Sequence, residues 1–225
     1  MEKQIFKIKK GINTCYIIRE KGCVMFDAGP PQMRKTFLKK LNEFEIEPSE
    51  IKLIILSHAD FDHAGSTNEI REITGAKVLI HEKDQVSLES GAFGWPKGAS
   101  TWGKITRALF SPILKLKFKP EKVVADIVLT EKEMDLNEYG VQGRIIHTPG
   151  HSPGSLSVLL DSGELFAGCL AHNLFPMTLK AKLPIYADNI EVVKESWKAI
   201  LPLDPIIAYP AHGKAFPVEK IKKYL

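Results

Sequence analysis

Four side chains that can bind a metal ion occur within the six positions 58–63. They are His58, Asp60, Asp62 and His63, and they directly follow the apolar run 51–56, which has the length and β-branched content of a buried strand. Two imidazoles and two carboxylates packed this closely are electrostatically costly unless a cation neutralises them. The spacing therefore predicts a Zn²⁺ or Fe²⁺ site where a strand ends.

Three later turns offer the remaining ligands. His151 lies in the turn 148–155, which follows a predicted strand, and His212 lies in the turn 209–213 after the last apolar run. Cys169 follows the short apolar run 165–168. Ligands at the ends of several strands lie together at one edge of the sheets. Such an arrangement gives the rigid, partly open site that a catalytic metal requires.

The elements that must position these residues come in two successive sets. In each set short strands are followed by helices, so the pattern predicts an α/β fold in which two sheets lie between helical layers. The predicted strands span residues 4–8, 14–19, 22–27, 51–56, 77–80, 143–147, 155–160, 164–167 and 205–209. The predicted helices span 31–43, 65–73 (ended by Gly75), a short stretch after residue 81, 189–201 (capped by Asn189) and 218–225.

The order of these motifs resembles the metallo-β-lactamase superfamily. Its members carry a His-x-His-x-Asp-His loop, a Gly-His turn, an acidic ligand after a Leu-Phe-x-Gly strand and a Gly-His-Gly turn near the C-terminus. The matching stretches here are 58–63, 150–151, 165–169 and 211–213, and the turn 27–29 matches a supporting Asp-x-Gly turn. The resemblance extends from about Thr14 to Gly213. It implies a four-layer αββα sandwich, with residues 1–225 as a single domain and an insertion at about 91–120.

The resemblance also implies two metal sites. The residues that match the ligands of the first are His58, Asp60 and His151, and those that match the second are Asp62, His63 and His212. Cys169 stands where an aspartate usually bridges the two ions, and Asp60 stands where most members carry histidine. Because one thiolate sulfur suits bridging less well than a carboxylate, we expect Cys169 to bind the second ion alone, or that site to be only partly filled. One or two Zn²⁺ ions are expected, with Fe²⁺ or Mn²⁺ as alternatives.

Several further residues could serve the site or only the core. His172 could be an additional ligand or a proton donor, but a surface histidine on the turn after Cys169 is the favoured interpretation. Tyr186 and Tyr209 are further candidate donors. Asp27 is expected to orient a ligand from behind. The residues expected only to pack in the core are His81, His147, Cys15 and Cys23.

These residues favour a metal-dependent hydrolase that acts on a small-molecule ester, thioester, lactone or similar substrate. Water activated by the metal would attack the substrate, and Asp62 would serve as the local base. The residues that bind the substrate are not identified. Two alternatives stay open: an iron-dependent oxidoreductase of the same fold, which Asp60 favours, and a degenerate metal-binding member without catalysis, which Cys169 favours. The short stretch after His212 argues against a hydroxyacylglutathione hydrolase, because the similar enzymes add a helical region there.

The amino-acid composition indicates which kinds of binding partner and which cellular location to expect. Hydrophobic residues make up 44% of the chain and charged residues 26%, and the net charge of +4 is too small to predict nucleic-acid binding. No apolar run reaches about 18 residues, so no transmembrane helix is predicted. Three widely spaced cysteines and an N-terminus without a signal-peptide pattern predict a reducing, cytoplasmic location.

One segment, 91–120, has an unusual composition. It contains six basic residues, no acidic residue and many aromatic or aliphatic residues, among them Phe93, Trp95 and Trp102. The alternation over 114–119 predicts an edge strand or a basic amphipathic face. The segment could be a lid over the metal site, a peripheral membrane contact, a homodimer interface or a packed insertion without a functional role.

Overall fold

A computed structural model describes residues 2–92, 94–117, 121–174, 178 and 180–225. These residues form two sheets of six strands each. The helices are α1 (Arg34–Glu43), α2 (Phe61–Ala64), α3 (Thr67–Thr74), α4 (Glu82–Ser90), α5 (Thr101–Lys117), α6 (Ile190–Ile200) and α7 (Glu219–Lys222). Short 3₁₀ turns span Pro48–Glu50, Asn137–Tyr139 and Leu201–Leu203.

The first sheet follows the order of its strands in the sequence. Its members are β1 (Gln4–Lys10), β2 (Asn13–Arg19), β3 (Cys23–Phe26), β4 (Ile51–Ile55), β5 (Lys77–His81) and β6 (Ile127–Leu129). The first three are antiparallel, and β3 to β6 are parallel. Parallel neighbours need crossover connections, and helices α1, α3 and α4 lie in these crossovers.

The second sheet is mostly antiparallel. Its strands are β7 (Glu133–Asp135), β8 (Gly143–His147), β9 (Leu156–Leu160), β10 (Glu164–Gly168), β11 (Ile207–Pro210) and β12 (Phe216–Pro217), and they lie in the order β12-β11-β10-β9-β8-β7. Strands β10 and β11 are parallel and are joined through α6. Their carboxyl ends therefore lie at the same edge of the sheet.

Three apolar cores hold the layers together. The first lies between the first sheet and helices α1, α3 and α4, the second between the two sheets, and the third between the second sheet and helices α6 and α7. In β2, Cys15 and Ile17 pack into the first core, whereas Tyr16 and Ile18 on the opposite face pack into the second. The layers run helix, sheet, sheet, helix, which confirms the predicted αββα sandwich.

Several local predictions are confirmed. Gly75 ends α3 with a positive φ of 69°, and the Asn189 side chain accepts hydrogen bonds from the backbone of Glu191 and Val192 at the start of α6. The predicted helix 65–73 begins later, at Thr67, because the short helix α2 precedes it. The structure also contains two three-residue strands, β6 and β7, that the sequence pattern did not indicate.

The edge-strand interpretation of the segment after residue 91 is wrong. Its central part is helix α5, and this helix runs through Pro112 to Lys117. Phe93 and residues 118–120, on which part of that prediction rested, lie outside the described residues. Across the part of the chain that the structure describes, no helix is both long and apolar enough to cross a bilayer.

Candidate metal centre

The loop after β4 supplies residues from a compact turn. His58 and Asp60 precede α2, and Asp62 and His63 lie within it. The backbone N–H groups of His63 and Ala64 donate to the carbonyl of Asp60, which closes the turn. As a result, four side chains that can bind a metal project from one short segment of backbone. The two histidines among them are each only 1% exposed.

The turn after β8 carries His151 and is held by a residue that the sequence did not indicate. The carboxylate of Asp84, in α4, accepts hydrogen bonds from Ser152 Oγ at 2.6 Å and from the Gly154 backbone at 2.9 Å. Gly150 has a φ of +131°, and a Cβ there would lie 2.4 Å from the backbone nitrogen of Val193. Asp84 and Gly150 therefore fix the turn, although Asp84 is 68 residues from Ser152 along the chain.

Two groups of side chains come together between the turns. His58, His151 and Cys169 form one, and His63, Cys169 and His212 form the other, with the ligand atoms of each group within 4.8 Å of one another. The sequence led us to expect that Cys169 binds the second ion alone or that this site is only partly filled. In the structure its sulfur lies within reach of both groups.

The two carboxylates of the loop complete these groups. Asp60 Oδ2 lies 3.4 Å from Nε2 of both His58 and His151. Asp62 Oδ2 lies 3.8 Å from His63 Nε2 and 3.5 Å from His212 Nε2. The structure thus brings together all seven residues that were predicted as metal ligands, with Asp60 beside the first group and Asp62 beside the second.

All four histidines of these groups are oriented by hydrogen bonds at Nδ1. The partners are the Ser57 hydroxyl for His58 (2.8 Å), the Asp27 carboxylate for His63 (2.7 Å), the Tyr186 carbonyl for His151 (2.9 Å) and the Ile12 carbonyl for His212 (3.0 Å). Carbonyls and carboxylates only accept hydrogen bonds, so the proton lies on Nδ1 of three of these rings. The Ser57 hydroxyl donates to Asp27, which leaves its oxygen to accept from His58. The Nε2 lone pairs are thereby free to face the cluster, as in metal-binding imidazoles.

Strong electrostatic coupling exists within the cluster. Burial opposes ionisation of Cys169, but His151, His63 and His212 outweigh this effect and hold the pKa of the thiol well below its ordinary value. Burial likewise opposes protonation of His63, but the Cys169 thiolate, Asp27 and Asp62 raise its pKa well above the ordinary value. The cluster therefore favours negative charge on the thiolate and positive charge around it, and a bound cation would supply that positive charge in place of protons on Nε2.

The donor set fits a divalent transition metal. His58 Nε2 is buried and has no hydrogen-bond partner among the described residues, which is costly for a polar atom unless an ion takes the place of the missing partner. Imidazole nitrogen, thiolate sulfur and carboxylate oxygen are the donors that Zn²⁺ accepts, and imidazole with carboxylate also suits Fe²⁺.

His172 corrects one sequence-based expectation. The favoured interpretation as a surface histidine is wrong, because the residue is 1% exposed and its ring centroid lies 5.0 Å from that of His212. Neither ring nitrogen has a hydrogen-bond partner in the described part of the chain. Burial lowers its pKa to about 4, so the ring is neutral near pH 7. His172 belongs to the wall of the site.

Of the two tyrosines suggested as proton donors, one lies at the metal centre and the other lies beside the core. Tyr186 lines the same cavity as the cluster, and its hydroxyl lies 2.6 Å from that of Thr106. Tyr209 instead packs on Phe166 next to the core between the sheets and does not line the cavity, so its suggested role as a proton donor is not supported.

The packing histidines and cysteines lie outside the cluster. His81 and His147 stack with ring centroids 3.8 Å apart, and each makes a hydrogen bond to the backbone. Cys15 and Cys23 are buried free thiols in the first core. Cys15, Cys23 and His81 are buried as predicted, whereas His147 is only half-buried and belongs to no core cluster among the described residues.

Two sheets between helical layers, with histidine, aspartate and cysteine side chains gathered at strand ends, define a class of metal-dependent hydrolases. The family model of the metallo-beta-lactamase superfamily matches residues 8–212, and the chain belongs to this superfamily. Its fold and its two groups of candidate metal ligands are those expected of a member.

Known relatives agree with this assignment. A metallo-beta-lactamase fold-containing protein of Sulfurisphaera tokodaii is 31% identical over 209 residues, which cover 90% of this chain and 73% of the relative. A protein of Methanocaldococcus jannaschii described as a probable metallo-hydrolase is 28% identical over 150 residues, and the chain spans 63% of that relative's length. The crystal structure of the B3 metallo-beta-lactamase BLEG-1 has a TM-score of 0.71 at 24% identity, covers 96% of this chain and shares its fold.

One relative bears on an argument from the sequence. A hydroxyacylglutathione hydrolase of Haemophilus influenzae is 23% identical over 224 residues, which cover 91% of that protein. A protein of that name can therefore align with this chain over nearly its whole length. The short stretch after His212 does not argue against that activity.

Proposed function

We propose that the chain is a zinc-dependent hydrolase that cleaves an ester, thioester or lactone bond of a small molecule. The observation that carries this proposal is the arrangement of four histidines whose Nδ1 atoms are all hydrogen-bonded away from the cluster, with Cys169 between them. His58, Asp60 and His151 would hold one ion, and Asp62, His63 and His212 the other. Cys169 would be shared by both.

The proposed role of Asp62 follows from its position. Its carboxylate lies beside the second group and lines the cavity, and the side chain is 16% exposed. A divalent ion bound there would supply Lewis acidity, which lowers the pKa of a coordinated water toward about 7 and polarises a substrate carbonyl. Asp62 then orients the attacking water and accepts its proton. The acyl carbon gains the water oxygen, its bond to the leaving group breaks, and the proton passes to that group.

A substrate panel with matched variants tests this proposal. Zinc-loaded protein should hydrolyse at least one class among p-nitrophenyl esters, acyl thioesters and lactones, and Asp62→Asn should lower kcat on it by about 10²- to 10⁴-fold. Asp161→Asn, in the exposed turn between β9 and β10, should leave the rate unchanged. Zinc content measured on each variant separates lost chemistry from lost metal. A zinc-loaded protein that is inert on every class would contradict the proposal.

A second candidate function is an iron-dependent oxidoreductase. It is favoured by the proximity of Asp60 to His58 and His151, because two histidines and one carboxylate are the donor set of many non-haem iron sites. Elemental analysis of protein purified without added metal, together with oxygen uptake, distinguishes the two candidates. Iron content with substrate-dependent oxygen uptake would replace the hydrolase proposal.

The compartment is part of the same proposal. Cys169 can bind a metal only as a reduced thiol, and all three cysteines are free. A reducing compartment such as the cytoplasm would preserve this state.

A further inference from the structure

The cavity above the metal centre is lined mainly by apolar side chains. Its volume is about 340 Å³, within the range of sites that hold small organic ligands. The apolar and aromatic lining residues include Trp95, Trp102, Phe110, Leu114, Ile185 and Tyr186. Among the described lining residues outside the metal cluster and His172, none is charged. The cavity therefore offers charge at the metal centre and apolar contact elsewhere.

The hydroxyl groups in this wall are already engaged. Thr106 Oγ1 donates to the Trp102 carbonyl at 2.8 Å or to the Tyr186 hydroxyl at 2.6 Å. A ligand group that lies against this wall is offered few free hydrogen-bond partners. A polar substituent would lose its water with little compensation there, which costs free energy, whereas an alkyl group would gain from burial.

Helix α5 provides much of the apolar wall. Trp102, Thr106, Phe110 and Leu114 follow one another at intervals of four residues, so they lie along one face of the helix. The start of the helix is docked closely, because a Cβ at Gly103 would lie 2.0 Å from the Ile185 carbonyl oxygen. This face forms an apolar strip about three turns long beside the metal centre.

We propose that the substrate carries an extended apolar acyl chain, which lies along this face of α5 while its scissile carbonyl lies at the metal cluster. The proposal rests on the hydrolase function proposed above and names its substrate class. Hydrolysis would release a fatty or arylaliphatic acid and an alcohol or thiol. Selectivity would come from burial of methylene groups against Phe110 and Leu114.

A series of p-nitrophenyl esters tests the chain-length dependence. From acetate through butyrate, hexanoate and octanoate to decanoate, kcat/KM of the zinc-loaded protein should rise about fourfold per methylene, which corresponds to about 0.8 kcal/mol, until the cavity is filled. Leu114→Asn should flatten this slope, because it lowers kcat/KM for decanoate much more than for acetate. Leu109→Asn is the matched control, since Leu109 lies on the same helix, is 62% exposed and does not line the cavity.

A binding measurement makes the test independent of hydrolysis. Fatty acids of the same chain lengths should quench the fluorescence of Trp95 and Trp102, with a Kd that falls about fourfold per methylene and that rises in Leu114→Asn. Should Leu114→Asn fail to fold, as judged by circular dichroism, Leu114→Trp replaces it and should shorten the chain that binds best.

The outcomes separate the two proposals. Chain-length-dependent binding by a zinc-loaded protein that hydrolyses no ester, thioester or lactone would retain the apolar subsite and overturn the hydrolase function. Hydrolysis with equal kcat/KM for short and long chains, or equal effects of the substitutions at Leu114 and Leu109, would overturn the apolar subsite alone.

Discussion

At the scale of single residues, Asp27 connects the core to the metal centre. It follows β3 with a φ of +63° and is fully buried. One carboxylate oxygen accepts the Ser57 backbone N–H at 2.8 Å, and the other accepts the Ser57 hydroxyl at 3.0 Å and His63 Nδ1 at 2.7 Å. This network orients His63 directly and His58 through Ser57. A buried carboxylate behind an imidazole also raises the basicity of the opposite nitrogen.

Replacing Asp27 by Asn should weaken metal binding more than it perturbs the fold. Asparagine has the same size and tolerates a positive φ, but its neutral amide cannot reproduce the carboxylate–imidazole pair. We expect the metal affinity to fall about 10- to 100-fold, measured by competition with a chromophoric chelator. Asp161→Asn serves as the exposed control. Equal affinity in Asp27→Asn and wild type would show that the carboxylate does not tune the site.

At the scale of secondary-structure elements, the sequence predicted strands and turns better than the connections between them. The run 51–56 is short, apolar and followed by four polar ligands, and both signals are local. For α5, the alternation over 114–119 competed with the four-residue spacing of Trp102, Thr106, Phe110 and Leu114, and the helical spacing prevailed. The strands β6 and β7 have three residues each, too few to show a period.

The contacts that the sequence could not predict are those between distant elements. All seven metal-binding candidates could be identified because each lies in a recognisable turn. Asp84 could not, since its partners Ser152 and Gly154 are 68 and 70 residues away and nothing in α4 marks it. The burial of His172 likewise depends on the elements that surround it and not on its neighbours in the chain.

His81, where β5 meets α4, should make the free energy of unfolding fall as the pH falls. His81 caps α4 by accepting the Lys83 N–H and stacks on His147, and burial, followed by the charges of His147 and Lys83, lowers its pKa to about 4. The unfolded chain binds a proton below about pH 6.5, whereas the folded chain does so only near pH 4. This contribution to stability is therefore complete above pH 6.5 and is lost as the pH falls toward 4.

Urea unfolding of metal-free protein between pH 7 and pH 4 measures this effect. In His81→Asn the cap is retained, because asparagine is a good N-cap residue, but the titrating group is gone. The variant should lose less stability over this pH range than the wild type. Glu82→Gln, at the exposed neighbouring position, should follow the wild-type profile. Parallel profiles for His81→Asn and wild type would contradict the assignment to His81.

At the scale of the whole molecule, the metal centre draws on both sheets. His58, Asp60, Asp62 and His63 follow β4 of the first sheet, whereas the other three candidates, His151, Cys169 and His212, follow strands of the second. The core between the sheets must therefore form before the two sets of ligands can meet. A metal bound by both sets binds the folded chain and not the unfolded one, so its binding free energy adds to the stability of the fold.

Removing the metal should consequently destabilise the whole sandwich. At a Zn²⁺ concentration 100-fold above the wild-type Kd, used for all variants, the free energy of unfolding of the wild type should rise by about 2.7 kcal/mol relative to chelated protein. Urea unfolding followed by circular dichroism measures this increment. His58→Ala on the first sheet and His212→Ala on the second should each reduce this increment, because each removes a ligand from one side of the same centre. His147→Gln, outside the cluster, should retain it. Because each increment is the difference between the metal-loaded and metal-free forms of one variant, any effect of the substitution on the metal-free fold cancels. Full increments in both alanine variants would mean that the ion does not join the two sheets.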